Sequence, residues 1–254
     1  MRIFFFIFLF FAFCCDAVYG FERIVSLSPA LTEMVVYAGG KGKLVGVTDF
    51  CSLDLKAERV GGIVNPNIEK IVSLRPDLIL VTNMTPVRIR KLLSKMAEVR
   101  VFHLVSLEDV ERAVKSVGNL VGANGEELEQ RFERSLHRSI EGIRCLNGKR
   151  TFILISCKPI YVAGGRSYLG EAFSLAGVRI FPPDVTFGAV SSEYVVNNGK
   201  VVVLACQSGG EELENLFKAF GMRIYRVSPK LLLHPSPWFL KGIRFLGEKV
   251  CASK

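Results

Sequence analysis

The sequence has only three histidines and one tryptophan among its 254 residues. His103, His137 and His234 stand far apart, so no two of them have the spacing of a helical metal site. Glycine-rich phosphate-binding motifs and the Gly-x-Ser-x-Gly nucleophile turn are also missing. These absences exclude the common nucleotide-dependent enzymes and α/β-hydrolases. They leave no catalytic residue and no metal-ligand set to predict.

Long apolar runs are scarce as well. The run Ile3–Phe13 at the amino terminus is shorter than the roughly 20 apolar residues that span a bilayer. It is followed by Val18-Tyr19-Gly20, with small residues at the first and third positions, as at a signal-peptidase site. The pattern predicts a cleaved secretory signal peptide over residues 1–20 and a soluble mature protein in the periplasm. An uncleaved anchor is the alternative.

The cysteines do not form a metal or redox motif. A lipid anchor at Cys14 or Cys15 is disfavoured because bulky Phe13 precedes them. Cys157 and Cys206 end apolar runs and are predicted to be small core residues. An odd number of cysteines follows residue 20, so at least one thiol stays unpaired within the chain. These cysteines are Cys51, Cys145, Cys157, Cys206 and Cys251.

Acidic residues are outnumbered by basic ones. The chain has 33 lysines and arginines against 24 aspartates and glutamates, a net charge of +9. A positive chain can bind nucleic acid, an anionic membrane or an anionic ligand. Because the basic residues are dispersed and not interleaved with aromatic ones, we expect no nucleic-acid partner.

Strands and helices alternate along the chain, and the alternation occurs twice. This predicts an α/β fold with two Rossmann-like lobes, each built on a central, mostly parallel sheet. The predicted lobes are residues 21–123 and 148–254. Short repeated patterns around Glu69 and Glu193 suggest that the second half duplicates the first.

One long helix is predicted between the lobes, over residues 124–147. Asn124 caps it, and Glu127 completes a capping box. Apolar residues at spacings of three and four form one stripe along it. A helix over 125–146 would be about 33 Å long and would act as a rigid strut. The cleft between the lobes is then the expected ligand site.

Several segments resemble the periplasmic binding proteins for cobalamin and iron chelates. The resemblance covers residues 22–250 and rests on short motifs spread over both halves. They are Arg23–Pro29 with Thr32-Glu33, Leu44–Asp49, Val60-Gly61-Gly62 with Asn65–Glu69, Leu74–Leu80, Pro159–Gly164 and Glu171–Gly177. The resemblance implies two lobes on a rigid interdomain helix, little closure on binding, a monomer and no resident cofactor. It also implies an ABC importer permease in the inner membrane as partner, docked through one glutamate per lobe, here Glu69 and Glu193.

The same resemblance implies which residues line the cleft. The matching positions include the loop Leu233–Trp238, with Trp238 available for stacking, and the other positions are Phe50, Ile63, Thr82 and Phe187. Tryptophans of enteric cobalamin binders are replaced here by Ile63, Thr82 and Phe187. Ala176 and Gly247 occupy the places of the family's cysteine pair.

Two further residues have open roles. Arg166 is placed to meet an anionic chelate. His234 either reaches a metal centre such as haem iron or caps the final helix.

The sequence thus predicts a binding protein that delivers a corrinoid or a ferric chelate, a small-molecule ligand that can itself carry cobalt or iron. A haem-binding protein of the same family is one alternative. An exported two-lobed enzyme using the same cleft is the other.

Overall fold

A computed structural model describes residues 20–206 and 209–251 of the chain. The predicted signal peptide, residues 1–20, lies outside the described residues except for Gly20. None of the described helices is long and apolar enough to cross a membrane.

Two sheets form the framework, as predicted. The first sheet contains β1 (Ile24–Ser26), β2 (Leu44–Val47), β3 (Glu58–Arg59), β4 (Leu78–Thr82) and β5 (Glu98–Phe102). All its strand pairs are parallel, in the order β3-β2-β1-β4-β5. Every residue of β4 is buried, which is typical of a central parallel strand covered by helices on both faces.

The second sheet is mixed. It contains β6 (Arg150–Cys157), β7 (Ile160–Ala163), β8 (Arg179–Ile180), β9 (Phe187–Ala189), β10 (Val201–Leu204) and β11 (Arg223–Arg226). Its order is β11-β10-β6-β7-β9, with β8 also paired to β6. The strands β6, β8, β10 and β11 pair in parallel, whereas β7 is antiparallel to β6 and β9. The sheet is therefore mostly parallel, with one reversed strand.

Helices cover these sheets. They are α1 (Pro29–Tyr37), α2 (Ile68–Ser73), α3 (Val87–Leu93), α4 (Leu107–Leu120), α5 (Gly125–Glu141), α6 (Tyr168–Leu175), α7 (Ser192–Asn198), α8 (Gly210–Ala219), α9 (Pro229–Leu232) and α10 (Phe239–Cys251). The first begins at a proline, whose fixed φ suits the first helical position. It ends before Gly39, which has a φ of 85° that residues with a Cβ rarely adopt.

The interdomain helix is shorter than predicted. The α-helix α5 stops at Glu141, and a 3₁₀ turn, Arg144–Leu146, follows it. Its 17 residues make it about 25 Å long. Asn124 accepts a hydrogen bond from the Glu127 amide, as predicted.

A second long helix, α4, lies beside α5 and was missed in the sequence. It has a full capping box, in which Ser106 and Asp109 bond to each other's backbone amides.

One hydrophobic core runs through both lobes. Phe132 of α5 and Tyr168 of α6 both pack edge-on against Phe239 of α10, at ring-centroid distances of 6.1 and 5.2 Å. These three side chains are almost fully buried. Because aromatic side chains bury large areas, this cluster fixes the second lobe on the strut.

Disulfides add pairings to the core, in which Cys157 is buried as predicted. Cys157 and Cys206 are joined to each other, and Cys145 is joined to Cys251. Cys51 is a buried free thiol, which accounts for the odd count. The pairing could not be read from the apolar surroundings of Cys157 and Cys206, because the sequence does not show that their strands β6 and β10 are neighbours.

Candidate functional site

The carboxyl ends of the first sheet's strands form one edge of the candidate site. The order β3-β2-β1-β4-β5 means that the chain changes direction across the sheet between β1 and β4. In open parallel sheets, ligands bind outside the carboxyl ends of the strands at such a switch point. Thr82 ends β4 at this point, and its hydroxyl is buried without a partner.

A loop after β2 carries the most exposed aromatic residue of this edge. Phe50 is 65% exposed, and its ring lies close to Gly62, where a Cβ would be 3.5 Å from a ring carbon. Ile63, next along the chain, is half-buried. The structure therefore places Phe50 beside Gly62, the residue before Ile63.

Arg59, which the sequence analysis did not single out, holds this loop in place. Its guanidinium donates hydrogen bonds to the carbonyl oxygens of Thr48, Cys51 and Leu53, at 3.0, 2.6 and 3.3 Å. No local pattern points to such a role, since it depends on β3 pairing with β2.

Met84 is a second residue that the sequence analysis missed. It follows β4 and is 65% exposed. A large apolar side chain left in solvent beside Thr82 extends the apolar lining beyond the predicted residues.

The second lobe contributes one corner to the site. Phe187 begins β9 and is 40% exposed. Arg166 lies nearby, because its amide bonds to the Val185 carbonyl oxygen at 3.1 Å. The guanidinium of Arg166 is paired with Asp184 at 3.2 Å, and both side chains are mostly exposed. An anionic ligand would compete with Asp184 for it.

This corner touches the first lobe at the end of β5. The Tyr168 amide donates to the Val105 carbonyl oxygen at 2.8 Å, and Glu171 accepts from the Leu107 amide at 2.7 Å. Burial raises the pKa of the Tyr168 hydroxyl far above its usual range, and the charge of Glu33 adds to this. These bonds hold the lobes together at the base of the site.

His234 contacts the first lobe through its ring. Its Nδ1 lies 2.7 Å from an Oε1 of Glu33, on α1 of the other lobe. The second carboxylate oxygen of Glu33 accepts a short hydrogen bond from the Ser236 hydroxyl. Glu33 is 2% exposed, and a buried carboxylate needs such partners. The pair is therefore a contact between the lobes.

Trp238 lies away from the strand ends that carry Phe50 and Thr82. It borders a small pocket of about 130 Å³ with Tyr37, at the far end of α1, and Ser135 of α5. The Lys241 ammonium covers its ring at 4.3 Å. Pro237 and Trp238 thus lie beside the strut, and the stacking of Trp238 on a ligand stays a prediction.

Glu69 and Glu193 occupy matching places. Each lies two residues after the cap of a short helix, Asn67 for α2 and Ser191 for α7. Both glutamates are exposed, and neither forms an ion pair or side-chain hydrogen bond within the described residues. They are free to meet external cations.

Within residues 20–206 and 209–251, no group of three or more histidine, cysteine, aspartate or glutamate residues could hold a metal ion.

Comparison with known proteins agrees with this geometry. The sequence profile of a family described as periplasmic binding protein matches residues 24–220. The vitamin B12-binding protein of Vibrio cholerae is 30% identical over 186 residues, which cover 69% of this chain and 67% of that protein. The uncharacterized ABC transporter substrate-binding lipoprotein YvrC of Bacillus subtilis is 25% identical, over 90% of this chain and 80% of that protein.

Solved structures share the fold. A periplasmic heme binding protein from Pseudomonas aeruginosa matches with a TM-score of 0.76 and 23% identity, over 92% of this chain and 94% of that one.

Proposed function

Because this chain belongs to the periplasmic binding protein family, we propose that it captures a corrinoid or a ferric chelate and delivers it to an ABC importer. The observation that carries the proposal is the pair of exposed aromatic faces, Phe50 in one lobe and Phe187 in the other. Flat rings on either side of a cleft suit a flat macrocycle or chelate, because they offer apolar area at little cost in conformational entropy.

The relatives support this ligand class. One is named as a vitamin B12-binding protein, and a protein of the same fold is titled as heme-binding. Haem is the alternative ligand within the same proposal. Ile63 and Thr82 make the first lobe's wall less aromatic than that of an enteric cobalamin binder, so a different chelate is compatible with the site.

The rigid junction favours capture with little closure. The aromatic cluster around Phe239 and the buried Glu33–His234 pair join the lobes at several points. A division into residues 21–123, 124–147 and 148–254 is part of this proposal. The ligand would then enter a largely preformed site, which lowers the entropy cost of binding.

The proposed location follows the export signal. The mature chain would act outside the cytoplasmic membrane, released after cleavage at Gly20. The alternative is a mature chain held at the membrane by a lipid anchor, since one relative is named a lipoprotein.

The arrangement of Glu33, His234 and Ser236, an acid, a base and a hydroxyl, argues against an enzymatic role. The Ser236 hydroxyl donates to Glu33 and not to the His234 ring, and Ser236 is fully buried. A nucleophile needs contact with its base and access to substrate, and Ser236 has neither. We therefore propose a carrier with no resident cofactor and no catalytic step.

The test is a binding titration of the protein purified from the periplasm. Cyanocobalamin, haemin and a set of ferric siderophores are compared by calorimetry, with variants Phe50→Ala and Phe187→Ala. We expect one ligand class to bind. Each variant should bind that ligand about tenfold more weakly, because losing one stacked ring removes about 1.4 kcal/mol of binding free energy.

Phe220→Ala is the matched control, because Phe220 is 60% exposed but follows α8, away from the cleft. Absence of binding by all three classes would overturn the proposal. So would equal losses in the control and in the two cleft variants.

A further inference from the structure

A cavity separate from the candidate site lies at the amino ends of the parallel strands of the second sheet, whereas Glu193 lies beyond their carboxyl ends. Its volume is about 390 Å³, within the usual range for small-molecule sites of about 300–1,000 Å³. The cations and the aromatic residue that border it are Lys149, Lys200, Arg223 and Tyr225. Lys149 precedes β6, and Lys200 and Arg223 lie at the starts of β10 and β11. The cavity therefore belongs to the amino ends of the parallel strands.

Positive charge dominates this cavity. Lys149, Lys200 and Arg223 are exposed, and none of them forms an ion pair or side-chain hydrogen bond with the described part of the chain. No acidic residue of the described ranges lines the cavity. Elsewhere many basic side chains are paired, for example Arg226 with Glu214 and Lys158 with Glu212. Three neighbouring cations without a counter-charge repel one another, so an anion among them would be stabilised.

The backbone holds these cations close to one another. The Arg223 amide donates to the Lys200 carbonyl oxygen at 3.0 Å, and the Lys200 amide donates to Arg150 at the start of β6 at 2.9 Å. The disulfide between Cys145 and Cys251 ties the wall of the cavity to the end of α10. The site is thus built on sheet and disulfide, and its geometry does not depend on a loose loop.

The rest of the lining is apolar. Leu146, Val201 and Val250 border the cavity together with the ring of Tyr225. A bare inorganic anion would leave this surface unused. A ligand with an anionic head and a flat or apolar remainder would cover both parts.

We propose that this cavity binds a small organic phosphate, with its phosphate among Lys149, Lys200 and Arg223 and an aromatic or apolar group against Tyr225. Arginine forms paired hydrogen bonds to phosphate oxygens, and lysine adds point charges. Glu193 follows β9 beyond the carboxyl end of β6. A partner docked on Glu193 would leave the opposite edge in solution, which favours a soluble phosphate over a lipid headgroup.

The experiment compares phenyl phosphate, inorganic phosphate and phosphatidylglycerol vesicles as probes of the whole protein. Binding of the first two is measured by calorimetry at low salt and at about 1 M salt, where the Debye length falls to about 3 Å. Vesicle binding is measured by sedimentation. We expect phenyl phosphate to bind about tenfold tighter than inorganic phosphate, because only it covers the apolar lining. We expect binding to weaken in high salt.

The double variant Lys200→Glu/Arg223→Glu should abolish binding of phenyl phosphate and of inorganic phosphate. It should leave the affinity of the cleft for its own ligand unchanged. Lys95→Glu is the control, because Lys95 is an exposed lysine of the other lobe that forms no ion pair within the described residues. Tyr225→Ala should lower the affinity for phenyl phosphate to that for inorganic phosphate.

Three results would overturn the proposal: no binding of phenyl phosphate, equal loss in the Lys95 control, or binding of vesicles alone. Circular dichroism of each variant separates loss of the site from loss of the fold.

Discussion

Glu33 is an acidic side chain at 2% exposure, and both of its carboxylate oxygens are bonded by residues of the other lobe. At the residue scale this contact joins the two lobes through a buried charge. In the sequence, Thr32-Glu33 is noticed only because it follows Arg23–Pro29 in one of the segments that resemble the periplasmic binding proteins. The partner, His234, is 201 positions away, and no local pattern connects the two residues.

We expect His234→Ala to destabilise the protein by about 3 kcal/mol, because it leaves a buried carboxylate without its main partner. Urea denaturation at pH 7 measures the change. His137→Ala is the matched control, since His137 is exposed on α5 and should shift stability by less than about 0.5 kcal/mol. Equal small effects in both variants would show that the Glu33–His234 pair contributes little.

At the scale of elements, α4 and α5 form the packed pair behind the site. Their facing surfaces bring several acids together. Burial raises the pKa of Glu111, and the nearby charges of Glu133, Glu129, Glu108 and Glu171 raise it further. A folded-state pKa above the unfolded value means that the charged form of Glu111 costs stability. This cost is complete above the folded pKa and absent below the unfolded value of about 4.3.

Glu111→Gln should therefore stabilise the protein at pH 7, by about 0.5 kcal/mol, the scale of like-charge pairs on helix surfaces. The gain should shrink at pH 4, where the native glutamate is largely protonated. Urea denaturation at the two pH values tests both expectations. A gain that is the same at both would rule out the electrostatic cause.

The disulfide between Cys145 and Cys251 is a second contact between helical elements that affects stability. It joins the end of the strut segment to the end of α10, across 106 residues of sequence. Cross-links over loops of this length restrict the unfolded chain strongly.

Replacing both cysteines, as Cys145→Ala with Cys251→Ala, should cost about 2–4 kcal/mol of unfolding free energy. Chemical denaturation measures the loss, and thiol titration of the unfolded, unreduced protein without residues 1–20 should find a single free thiol, Cys51. More than one free thiol in the native protein would contradict the pairing.

At the scale of the whole molecule, two lobes present one exposed glutamate each at matching positions. Arg–carboxylate contacts give orientation as well as energy, so two such contacts on separate lobes can align the protein on a permease. This role for Glu69 and Glu193 rests on the proposed function.

Glu69→Ala with Glu193→Ala should keep ligand affinity and lose most stimulation of the permease's ATPase activity. Reconstituted permease in vesicles provides the measurement. Glu211→Ala is a suitable control, as an exposed helix glutamate with no ion pair within the described residues. Normal stimulation by the double variant would exclude the docking role.

The sequence alone determined the layered α/β architecture, because alternating buried strands and capped helices are local patterns. Pro29 and Gly39 set the limits of α1, and Asn124 set the start of α5, through backbone geometry within a few residues. The end of α5 was misplaced because the apolar stripe continues through the 3₁₀ turn.

Only the tertiary structure decided which distant residues meet. It paired Cys157 with Cys206 and placed Trp238 beside the strut. It also gathered Lys149, Lys200 and Arg223 around one cavity. Each of these contacts joins residues from different strands or helices, and their chemistry depends on how the sheets are ordered and packed. That order is set by the burial of whole elements against one another, which no short stretch of sequence contains.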